Sequence, residues 1–396
     1  MGYAERKEQS PQGNVPNLRF PEFSGEWAKT TLGKIGNTFN GLTGKSGADF
    51  GQGSPYITYK SIFDSSRIDL SRVEFVTITD QERQKETQNK VQFGDIFFTT
   101  SSETPEEVGM TSVLLDDIED CYLNSFCFGY RLFAKDKTLP EYMRFYLRNQ
   151  AIRKKLFVLA QGSTRFNISK GEVMNVSVLL PETDEQKKIA KLLSLLEERI
   201  NTQIKIIEKL ESLIKGLYER LFNIDSAAYI QLGNVAKIQK GQQINGEELS
   251  EIGSYYVMNG GVVPSGYLED FNTPANTISI SEGGNSCGYV QYNGVPFWSG
   301  GHCYTLIEPI NSFNYKYLFH YLKFKEQSIM ALRIGSGLPN IQKKDLERFP
   351  ILNVSKEEQD KMACIFDDIL DRIICERQIA LKYEEQKKYL LSNLFI

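Results

Sequence analysis

One long heptad pattern limits the possible folds of this chain more than any other feature of its sequence. In Thr183–Phe222, apolar residues recur alternately four and three residues apart, and only Gln203 interrupts the series. This spacing forms the seam of a coiled coil. At about 1.5 Å per residue, the helix would be roughly 60 Å long, more than a small domain can bury. The segment is therefore predicted to be a long helix between two domains.

The same pattern occurs a second time near the end of the chain, in Ser355–Phe395. The segment Gly162–Phe222 aligns with Gly335–Phe395 without a gap, at an offset of 335 − 162 = 173 residues. Glu376 then takes the position of Gln203. A repeat of this length indicates a duplication and predicts a pseudo-twofold molecule. If the two helices pair in antiparallel orientation, the two polar residues face one another and fix the register of the pair.

The predicted seam consists of the apolar residues at the heptad core positions of both copies. They are Ile189, Leu193, Leu196, Ile200, Ile207, Leu210, Ile214, Leu217, Met362, Phe366, Ile369, Ile373, Ala380, Tyr383, Leu390 and Leu394. Both copies also begin with the sequence of a capping box, Thr183 with Gln186 and Ser355 with Glu358.

The sequence predicts an α+β fold in which two globular α/β domains are separated by two long antiparallel coiled-coil helices, with an internal repeat. A chain of 396 residues suits two domains plus helical connectors. Both domains open with Leu-Gly, at Leu32–Gly33 and Leu232–Gly233. The predicted boundaries are 1–15 for a disordered N-terminus, 16–182 for the first domain, 183–223 for the central helix, 224–354 for the second domain and 355–396 for the last helix.

Within the domains, short runs of β-forming residues are followed by one helical stretch. The predicted strands of the first domain are Ser54–Ile62, Val73–Ile78, Asp95–Thr100 and Thr111–Leu115. A helix is predicted over Glu141–Leu159, and Tyr315–Leu332 is its counterpart in the second domain. The first helix carries several basic residues, which predict either a solvated face or a surface for DNA.

Composition excludes some classes of protein. No apolar run approaches the roughly 20 residues of a membrane span, and no secretory signal is apparent, so a cytoplasmic protein is expected. The six cysteines include no Cys-x-x-Cys pair, which predicts buried, reduced thiols rather than disulfides or zinc. The net charge of −4 would not by itself suggest a nucleic-acid partner.

The motifs of enzymes that act on DNA are absent from the sequence. There is no Pro-Pro pair, which adenine methyltransferases use, and no phosphate-binding loop of the Gly-x-x-x-x-Gly-Lys-Ser/Thr type. Acid-x-Lys pairs at Glu185–Lys187 and Glu385–Lys387 lie within the long helices, where surface ion pairs explain them better. The chain is therefore expected to be non-catalytic alone, with no metal or cofactor of its own.

The repeated motifs resemble those of a known family. The Leu-Gly openings, the Gly-Ser-x-x-x-Asn-Ile segments at 162–168 and 335–341, and Glu-Gln near the start of each long helix resemble the specificity subunits of type I restriction–modification enzymes. The resemblance covers nearly the whole chain past residue 15. It implies a DNA-binding subunit that reads a bipartite target, one half-site per domain, while its antiparallel helices hold the domains at a fixed spacing.

The resemblance also implies partners. These are double-stranded DNA, two adenine-N6 methyltransferase subunits that use S-adenosylmethionine, and two restriction subunits that use ATP with Mg²⁺. Two alternatives remain open at this point. One is the recognition subunit of a system whose nuclease is fused to its methyltransferase, and the other is a coiled-coil scaffold that binds no DNA.

Candidate DNA-binding residues are hydrogen-bonding side chains and glycines on predicted loops. In the first domain they are Tyr59, Lys60, Ser61, Thr99, Thr100, Ser101, Ser102, Arg165, Asn167 and Lys170. In the second domain they are Asn259, Gly260, Gly261, Ser281, Gly283, Asn285, His302, Asn340 and Lys343. For any single one of them, a turn or surface role is the simpler explanation. Asn167 and Asn340 would then cap turns, and His302 would be structural.

Overall fold

The computed structural model describes residues 13–224, 228–335, 337 and 339–396. Its contacts divide the described chain into two compact units. Unit 1 contains the described residues up to Thr202 together with Ala380–Ile396, and unit 2 contains those of Gln203–Ile379. Each long helix therefore contributes one part to each unit. The predicted α+β class is confirmed.

Unit 1 is built from short strands and short helices that precede the first long helix. Its strands are β1 Ala28–Thr31, β2 Gly36–Asn40, β3 Phe50–Ile57, β4 Glu74–Val76, β5 Ile96–Thr99, β6 Ser101–Ser102, β7 Thr111–Val113, β8 Tyr122–Leu123, β9 Cys127–Leu132, β10 Phe166–Asn167 and β11 Ser177–Leu180. Its helices are α1 Leu32–Ile35, α2 Tyr59–Asp64, α3 Asp80–Lys85, α4 Pro140–Tyr146, α5 Gln150–Val158, α6 Lys170–Met174 and the first part of α7 Thr183–Phe222.

The main sheet of unit 1 has the order β2-β9-β5-β7, with antiparallel neighbours. Strand β5 is apolar without alternation because both of its faces are covered. Ile96 and Phe98 belong to one buried cluster with α4 and α5, whereas Phe97 belongs to a second cluster on the other face. A smaller sheet, β4-β3-β8, and the two pairs β1-β11 and β6-β10 complete the strand pairings of the unit.

Unit 2 repeats this plan with fewer residues. Its strands are β12 Tyr229–Gln231, β13 Lys237–Lys240, β14 Tyr255–Met258, β15 Tyr267–Leu268, β16 Thr277–Ser281, β17 Val290–Asn293, β18 Trp298–Ser299, β19 Cys303–Ile307 and β20 Pro350–Leu352. Its helices are α8 Leu232–Val235, α9 Tyr315–Phe324, α10 Glu326–Met330, α11 Lys343–Glu347 and part of α12 Lys356–Asn393. The sheet order β13-β19-β16-β17 corresponds to β2-β9-β5-β7.

The Leu-Gly openings have the same structure in both units. Each leucine begins a one-turn helix, α1 or α8, and is fully buried. A Cβ atom on Gly33 would lie 3.1 Å from the Met174 carbonyl oxygen, and one on Gly233 would lie 3.2 Å from that of Glu347. Because glycine has no side chain, the backbone at Met174 or Glu347 can pack closely on this turn.

The long helices run in opposite directions where they pair. In unit 2 the rings of Tyr218 and Phe366 lie 4.5 Å apart, and the Gln203 side-chain amide donates to the Glu376 carboxylate. Residue numbers therefore increase along one helix where they decrease along the other, so the pair is antiparallel. The predicted facing of the two polar residues is confirmed. All residues of the predicted seam are buried or half-buried in their units.

Only one of the two predicted capping boxes forms. The Ser355 hydroxyl accepts from the Glu358 N–H at 3.3 Å, and the Glu358 carboxylate accepts from the Ser355 N–H at 3.0 Å. Helix α7, in contrast, already includes Thr183, so the prediction for Thr183 and Gln186 is wrong. The Gln186 side chain instead bonds to the backbone before α4, with Leu139 N–H donating to its Oε1 at 2.9 Å.

Several other sequence predictions differ from the structure. The strand predicted over Ser54–Ile62 ends at Ile57, because Thr58 caps helix α2 with its hydroxyl oxygen. The helix predicted over Glu141–Leu159 is broken into α4 and α5, because the Asn149 side chain caps the second helix. The helix expected over Tyr315–Leu332 is likewise divided into α9 and α10.

The N-terminal prediction is partly wrong. Residues 1–12 of the expected disordered segment lie outside the described residues, but residues 13–15 are in place. The Trp27 N–H donates to the Asn14 carbonyl at 2.8 Å. The following lead-in is anchored to the long helix by Arg19, whose guanidinium pairs with Glu185 at 2.7 Å.

All six cysteines are free thiols, and four of them are buried as predicted. Cys364 and Cys375 are exposed on α12, contrary to prediction, because they lie on the side of the helix away from its seam. Among the helices of the described ranges, none combines the length and apolar character that a membrane span needs.

Candidate nucleic-acid interface

The two Gly-Ser-x-x-x-Asn-Ile segments are closed by the same pair of backbone hydrogen bonds. In unit 1, Asn167 and Gln161 exchange both backbone hydrogen bonds, at 2.8 and 2.9 Å. In unit 2, Asn340 and Ile334 do the same at 3.0 and 2.8 Å. These two loops, residues 161–167 and 334–340, are called the closed loops below.

A glycine opens each closed loop in a conformation that other residues rarely adopt. Gly162 has φ = 138° and Gly335 has φ = 100°. A Cβ atom on Gly162 would also lie 2.1 Å from the Arg165 carbonyl oxygen. The matching glycines of the sequence repeat are therefore explained by backbone geometry at the start of the loop.

Each closed loop packs on the end of a central sheet strand. In unit 1, β10 pairs with β6, and Ile168 N–H donates to the Thr100 carbonyl at 2.9 Å. In unit 2, Ile341 N–H donates to the Glu282 carbonyl, also at 2.9 Å. This contact brings the loop beside the segment that follows β5 or β16, and it creates a surface site in each unit.

In unit 1 this contact forms a cleft of about 310 Å³. The side chains that line it are Tyr59, Phe63, Ser101, Ser102, Glu103, Glu107, Phe126 and Arg165. The rings of Tyr59 and Phe63 stack with centroids 6.1 Å apart, and Phe126 is 60% exposed. The Tyr59 hydroxyl donates to the Ser101 carbonyl at 2.8 Å, and its burial raises the pKa of Tyr59 above the usual value.

The cleft carries both negative and positive groups. The Ser102 hydroxyl donates to the Glu107 carboxylate at 2.8 Å, which fixes that carboxylate on the wall of the cleft. Glu103 and Arg165 are exposed. Neither of them has an ion-pair partner among the residues that the structure describes. The cleft can thus offer a hydrogen-bond acceptor and a guanidinium donor to a ligand.

Some predicted residues of unit 1 do not reach this cleft. Thr99 is fully buried and its hydroxyl accepts from the Met110 N–H at 3.0 Å, so its prediction as a DNA contact is wrong. Thr100 bonds through its hydroxyl to the Phe126 carbonyl at 2.5 Å. On α2, Lys60 is exposed, and Ser61 shares a hydrogen bond with the helix cap.

Lys170 also lies away from the cleft, at the start of α6. Its amine donates to the side chain of Asn40 and lies 5.9 Å from the centre of the Phe128 ring. Burial lowers the pKa of Lys170 below its usual value. Asn167 is exposed, and its side-chain amide donates to the Arg165 carbonyl at 3.3 Å, so it supports the turn of the closed loop.

In unit 2 the structure brings most of the predicted residues together around His302. The Asn259 Oδ1 accepts from the His302 N–H at 3.0 Å, and the Ser281 hydroxyl donates to the Gly260 carbonyl at 2.6 Å. Gly283 forms a backbone bridge with Asn340 of the closed loop. The His302 side chain itself is exposed.

The remaining predicted residues of unit 2 lie at the edge of this cluster or outside it. Asn285 is exposed and Gly261 is half-buried. Lys343 lines a separate cavity of about 290 Å³ together with Gly233 and Lys237, and it pairs with Glu347 at 3.6 Å. It is therefore not grouped with the residues around His302.

A buried carboxylate supports the cluster of unit 2 from below. Glu282 is 8% exposed, and its Oε1 accepts from the Lys240 amine at 2.7 Å and from the Tyr304 hydroxyl at 3.0 Å. Burial, followed by the hydrogen bond and charge of Glu282, raises the pKa of Tyr304. The pair of bonds holds the strand end on which Ser281 and Gly283 lie.

Three arginines of the basic helical region of unit 1 have structural roles, whereas Lys154 and Lys155 of the same region are exposed. Arg148 donates to the carbonyls of residues 62, 63, 65 and 111 at 2.5–3.0 Å. Arg153 donates to those of residues 106, 108 and 109 at 2.5–2.7 Å. Arg144 pairs with Glu197 of the long helix. Burial lowers the pKa of each arginine to about 10.

Sequence reasoning missed several residues at both sites. Phe63, Glu103, Glu107 and Phe126 line the cleft of unit 1 but were not among the candidates. Val263, next to the glycines of unit 2, is 66% exposed. Phe126 directly follows the turn-forming residues Asn124 and Ser125, which was the available signal for it. The carboxylates could not be found by a search for basic and neutral donors.

No cluster of His, Cys, Asp and Glu side chains suited to a metal ion occurs within the described ranges.

The family model for the "Type I restriction modification DNA specificity domain" matches the chain twice, over residues 24–212 and 225–384. The chain belongs to this family. Each match covers one of the two domains together with much of the long helix that follows it.

Three of the similar proteins are described as putative type I specificity subunits. A putative type I specificity subunit of Mycoplasma pneumoniae is 37% identical over 122 residues, which is 30% of this chain and 32% of the relative. One of Mycoplasma genitalium is 32% identical over 40% of this chain and 42% of the relative. The matched part of the chain thus spans less than half the length of these two relatives. The putative MjaX specificity subunit of Methanocaldococcus jannaschii is 23% identical over 96% of this chain and 95% of the relative.

The fold is shared with a solved structure. The crystal structure of a type I restriction–modification S subunit from M. genitalium superposes with a TM-score of 0.69, at 18% identity. It covers 96% of this chain and 99% of that one. The similarity shows that the family's fold extends over nearly the whole chain.

Proposed function

We propose that this chain is the DNA-reading specificity subunit of a type I restriction–modification complex. One observation carries the proposal: each unit holds a closed loop against the end of a central sheet strand, and the two resulting sites expose different side chains. In unit 1 the site is an aromatic and charged cleft, whereas in unit 2 it is a cluster of glycines, asparagine and His302.

Unlike side chains at matching sites predict unlike half-sites. Bases in the major groove are distinguished by their patterns of donors, acceptors and the thymine methyl group. A guanidinium and carboxylates in one site fit a pattern that the neutral cluster of the other site does not fit. Each unit is therefore proposed to read one half of a split, asymmetric target.

The chain is proposed to act without chemistry of its own. Methyl transfer would come from two adenine-N6 methyltransferase subunits with S-adenosylmethionine, and cleavage from two restriction subunits with ATP and Mg²⁺, all in the cytoplasm. Apolar residues on the long helices are available for these partners. Leu195 and Leu213 on α7 are each 50% exposed, and Ile374 on α12 is 53% exposed.

A domain graft tests the bipartite target. Residues 229–354 would be replaced by the corresponding segment of another specificity subunit, and the methylated sequence would be determined in a host that expresses the complex. One half of the target should change and the other should remain. A change in both halves would overturn the assignment of one unit to one half-site.

Mobility-shift assays test DNA binding itself. The wild-type chain, alone and with methyltransferase subunits, should bind DNA with an affinity that falls as salt rises, because phosphate contacts release counterions. Absence of binding on a broad set of sequences, with partners present, would favour the coiled-coil scaffold.

A further inference from the structure

The cleft of unit 1 contains an exposed carboxylate and an exposed guanidinium on the surface that is proposed to meet DNA. We propose that Glu103 and Arg165 together read one C·G base pair in the half-site of unit 1, Glu103 accepting from the cytosine amino group and Arg165 donating to guanine. This inference rests on the proposed function, and it names the base pair that the cleft recognises.

Glu103 places a negative charge on the surface that is proposed to meet DNA. A carboxylate that faces a polyanion is repelled by the phosphates, so it lowers affinity unless it gains a specific bond. The bond that DNA offers to such a group in the major groove is an exocyclic amine, above all N4 of cytosine. Glu103 has no hydrogen-bond partner among the described residues, so its oxygens are available.

Unlike Glu103, the neighbouring Glu107 already has a hydrogen-bond partner. Glu107 accepts from the Ser102 hydroxyl at 2.8 Å and is half-buried. It therefore forms part of the wall of the cleft. The stacked rings of Tyr59 and Phe63 and the exposed ring of Phe126 form the rest of this wall. These rings limit the space in which a base edge can approach Glu103.

Arg165 supplies the other half of the pattern. A guanidinium forms two parallel bonds to O6 and N7 of guanine, the commonest specific contact to a base. The backbone of Arg165 is held in the closed loop by the two hydrogen bonds between Gln161 and Asn167 and by the conformation of Gly162. Both side chains line one cleft, and the major-groove edge of a C·G pair offers both the guanine acceptors and the cytosine donor.

An A·T pair fits this pair of side chains less well. Its adenine amine can donate to a carboxylate, but the adenine N7 and thymine O4 acceptors lie on different bases, and the thymine methyl group adds apolar surface. A guanidinium then loses its paired acceptors. The combination of Glu103 and Arg165 therefore favours C·G.

The repeat provides an internal contrast. The backbone bridges align Ser101 of unit 1 with Gly283 of unit 2, so that Glu103 corresponds to Asn285. The residue 173 positions after Arg165 is Leu338 in the sequence. The second copy has neither the carboxylate nor the guanidinium, so the C·G contact is assigned to unit 1 alone.

The test uses the full chain assembled with its methyltransferase subunits. The variants Glu103→Gln and Arg165→Gln would be compared with wild type on a library of DNA targets with every base pair randomised in turn. Wild type should require one C·G pair in one half-site. Each variant should lose about 5- to 150-fold of the discrimination at that pair, the equivalent of roughly 1–3 kcal/mol for a lost base contact. The other half-site should remain unchanged.

Glu106→Gln is the matched control. Glu106 is exposed beside the cleft but does not line it, and the variant changes the net charge by the same amount as Glu103→Gln. It should leave the discrimination at every base pair unchanged. If Glu106→Gln relaxes the C·G pair as strongly as Glu103→Gln does, a general charge effect replaces the proposed contact.

The outcomes separate the two proposals. If wild type selects no sequence at all, the proposed function fails. If wild type selects a split target but neither half contains a C·G pair sensitive to Glu103→Gln and Arg165→Gln, only the inference about the cleft fails. Circular dichroism of each variant would show whether its fold is retained.

Discussion

Gln186 and Gln359 make equivalent hydrogen bonds from positions 173 residues apart in the chain. The Oε1 of Gln186 accepts from the Leu139 N–H at 2.9 Å, and that of Gln359 accepts from the Asn314 N–H at 2.7 Å. In both cases the accepting oxygen belongs to a side chain near the start of a long helix. The donor is the residue that immediately precedes helix α4 or helix α9.

Each of these glutamines should stabilise its own unit. Both are nearly fully buried, and each also donates from Nε2 to a backbone carbonyl five residues earlier, at 2.9 Å. Replacing either by leucine leaves buried backbone groups unpaired and should cost about 1–3 kcal/mol. Trp27 in unit 1 and Trp298 in unit 2 allow each unit to be followed separately, in single-tryptophan variants unfolded with urea.

The expected result is selective. Gln186→Leu should lower the urea concentration at the midpoint of the transition reported by Trp27. Gln359→Leu should lower the midpoint of the transition reported by Trp298. Gln378→Ala, at an exposed position of α12, is the control and should change stability by less than about 0.5 kcal/mol. Equal effects of all three substitutions would show that the buried amides do not stabilise these junctions.

The polar pair between the long helices should behave as a coupled unit. Gln203 is 8% exposed and Glu376 is 2% exposed, so a single replacement leaves a buried polar partner. Gln203→Leu alone should destabilise unit 2 by about 1–3 kcal/mol, because the buried carboxylate loses its donor across the seam and, among the described residues, keeps only Arg372 of its own helix. The double variant Gln203→Leu/Glu376→Leu should be near wild type or more stable.

A double-mutant cycle from urea unfolding would measure this coupling. The exposed pair of Glu211 and Arg377, 2.5 Å apart, is the control, and its coupling should not exceed about 1 kcal/mol. Additive effects of Gln203→Leu and Glu376→Leu would contradict the prediction.

Buried His320 should make the stability of unit 2 depend on pH. Its Nδ1 lies 2.9 Å from the Tyr218 hydroxyl and its Nε2 lies 2.9 Å from Asp367, which also faces Lys316. Burial lowers the pKa of His320 below 6.5, although Asp367 opposes this shift. Above pH 6.5 the imidazole is neutral in both states. Below it the unfolded chain takes up a proton that the folded chain does not, so stability falls.

The midpoint of the Trp298 transition should therefore decrease from pH 7 to pH 5.5 in the wild type. His320→Gln cannot take up the proton and should flatten this dependence. The only other histidine, His302, has an exposed side chain, so His302→Gln serves as the control and should retain it. Retention of the slope in His320→Gln would assign it to other groups.

Two seam residues at equivalent repeat positions should be essential to both units. Ile200 and Ile373 are each 4% exposed, and replacing both by aspartate buries unpaired charge in the two cores. The double variant should lose helical signal on mild heating and should not assemble with methyltransferase subunits. Leu195→Asp/Ile374→Asp, at exposed positions of the same helices, should keep a melting temperature near that of wild type. Retained assembly of the first variant would contradict the prediction.

The elements that could be predicted from sequence are those set by local rules. The heptad pattern gave the long helices and the facing of Gln203 and Glu376, because one period decides which side of a helix is buried. The Gly-Ser-x-x-x-Asn-Ile repeat indicated matching loops, although not their closure. The capping sequence at Ser355 predicted a helix start correctly.

The errors arise where distant segments decide the outcome. Thr183 has the same capping sequence, but Gln186 is used by the backbone before α4. Thr99 lies at a strand end beside the half-buried Thr100, yet the segment around Met110 covers it completely. Arg148 and Arg153 turn inward because their guanidiniums donate to backbone carbonyls of residues 62–65 and 106–111. None of these partners lies near in sequence, so periodicity and composition could not find them.

The bonds made by Arg148 and Arg153 have a consequence for how such a protein changes over evolutionary time. Arg148 holds residues 62–65 and Thr111, and Arg153 holds residues 106–109, in each case by main-chain oxygens, which every amino acid possesses. Mutations can therefore exchange the side chains of these segments while the arginine anchors persist. A new target sequence can arise at Glu103 or its neighbours without a new scaffold to support it.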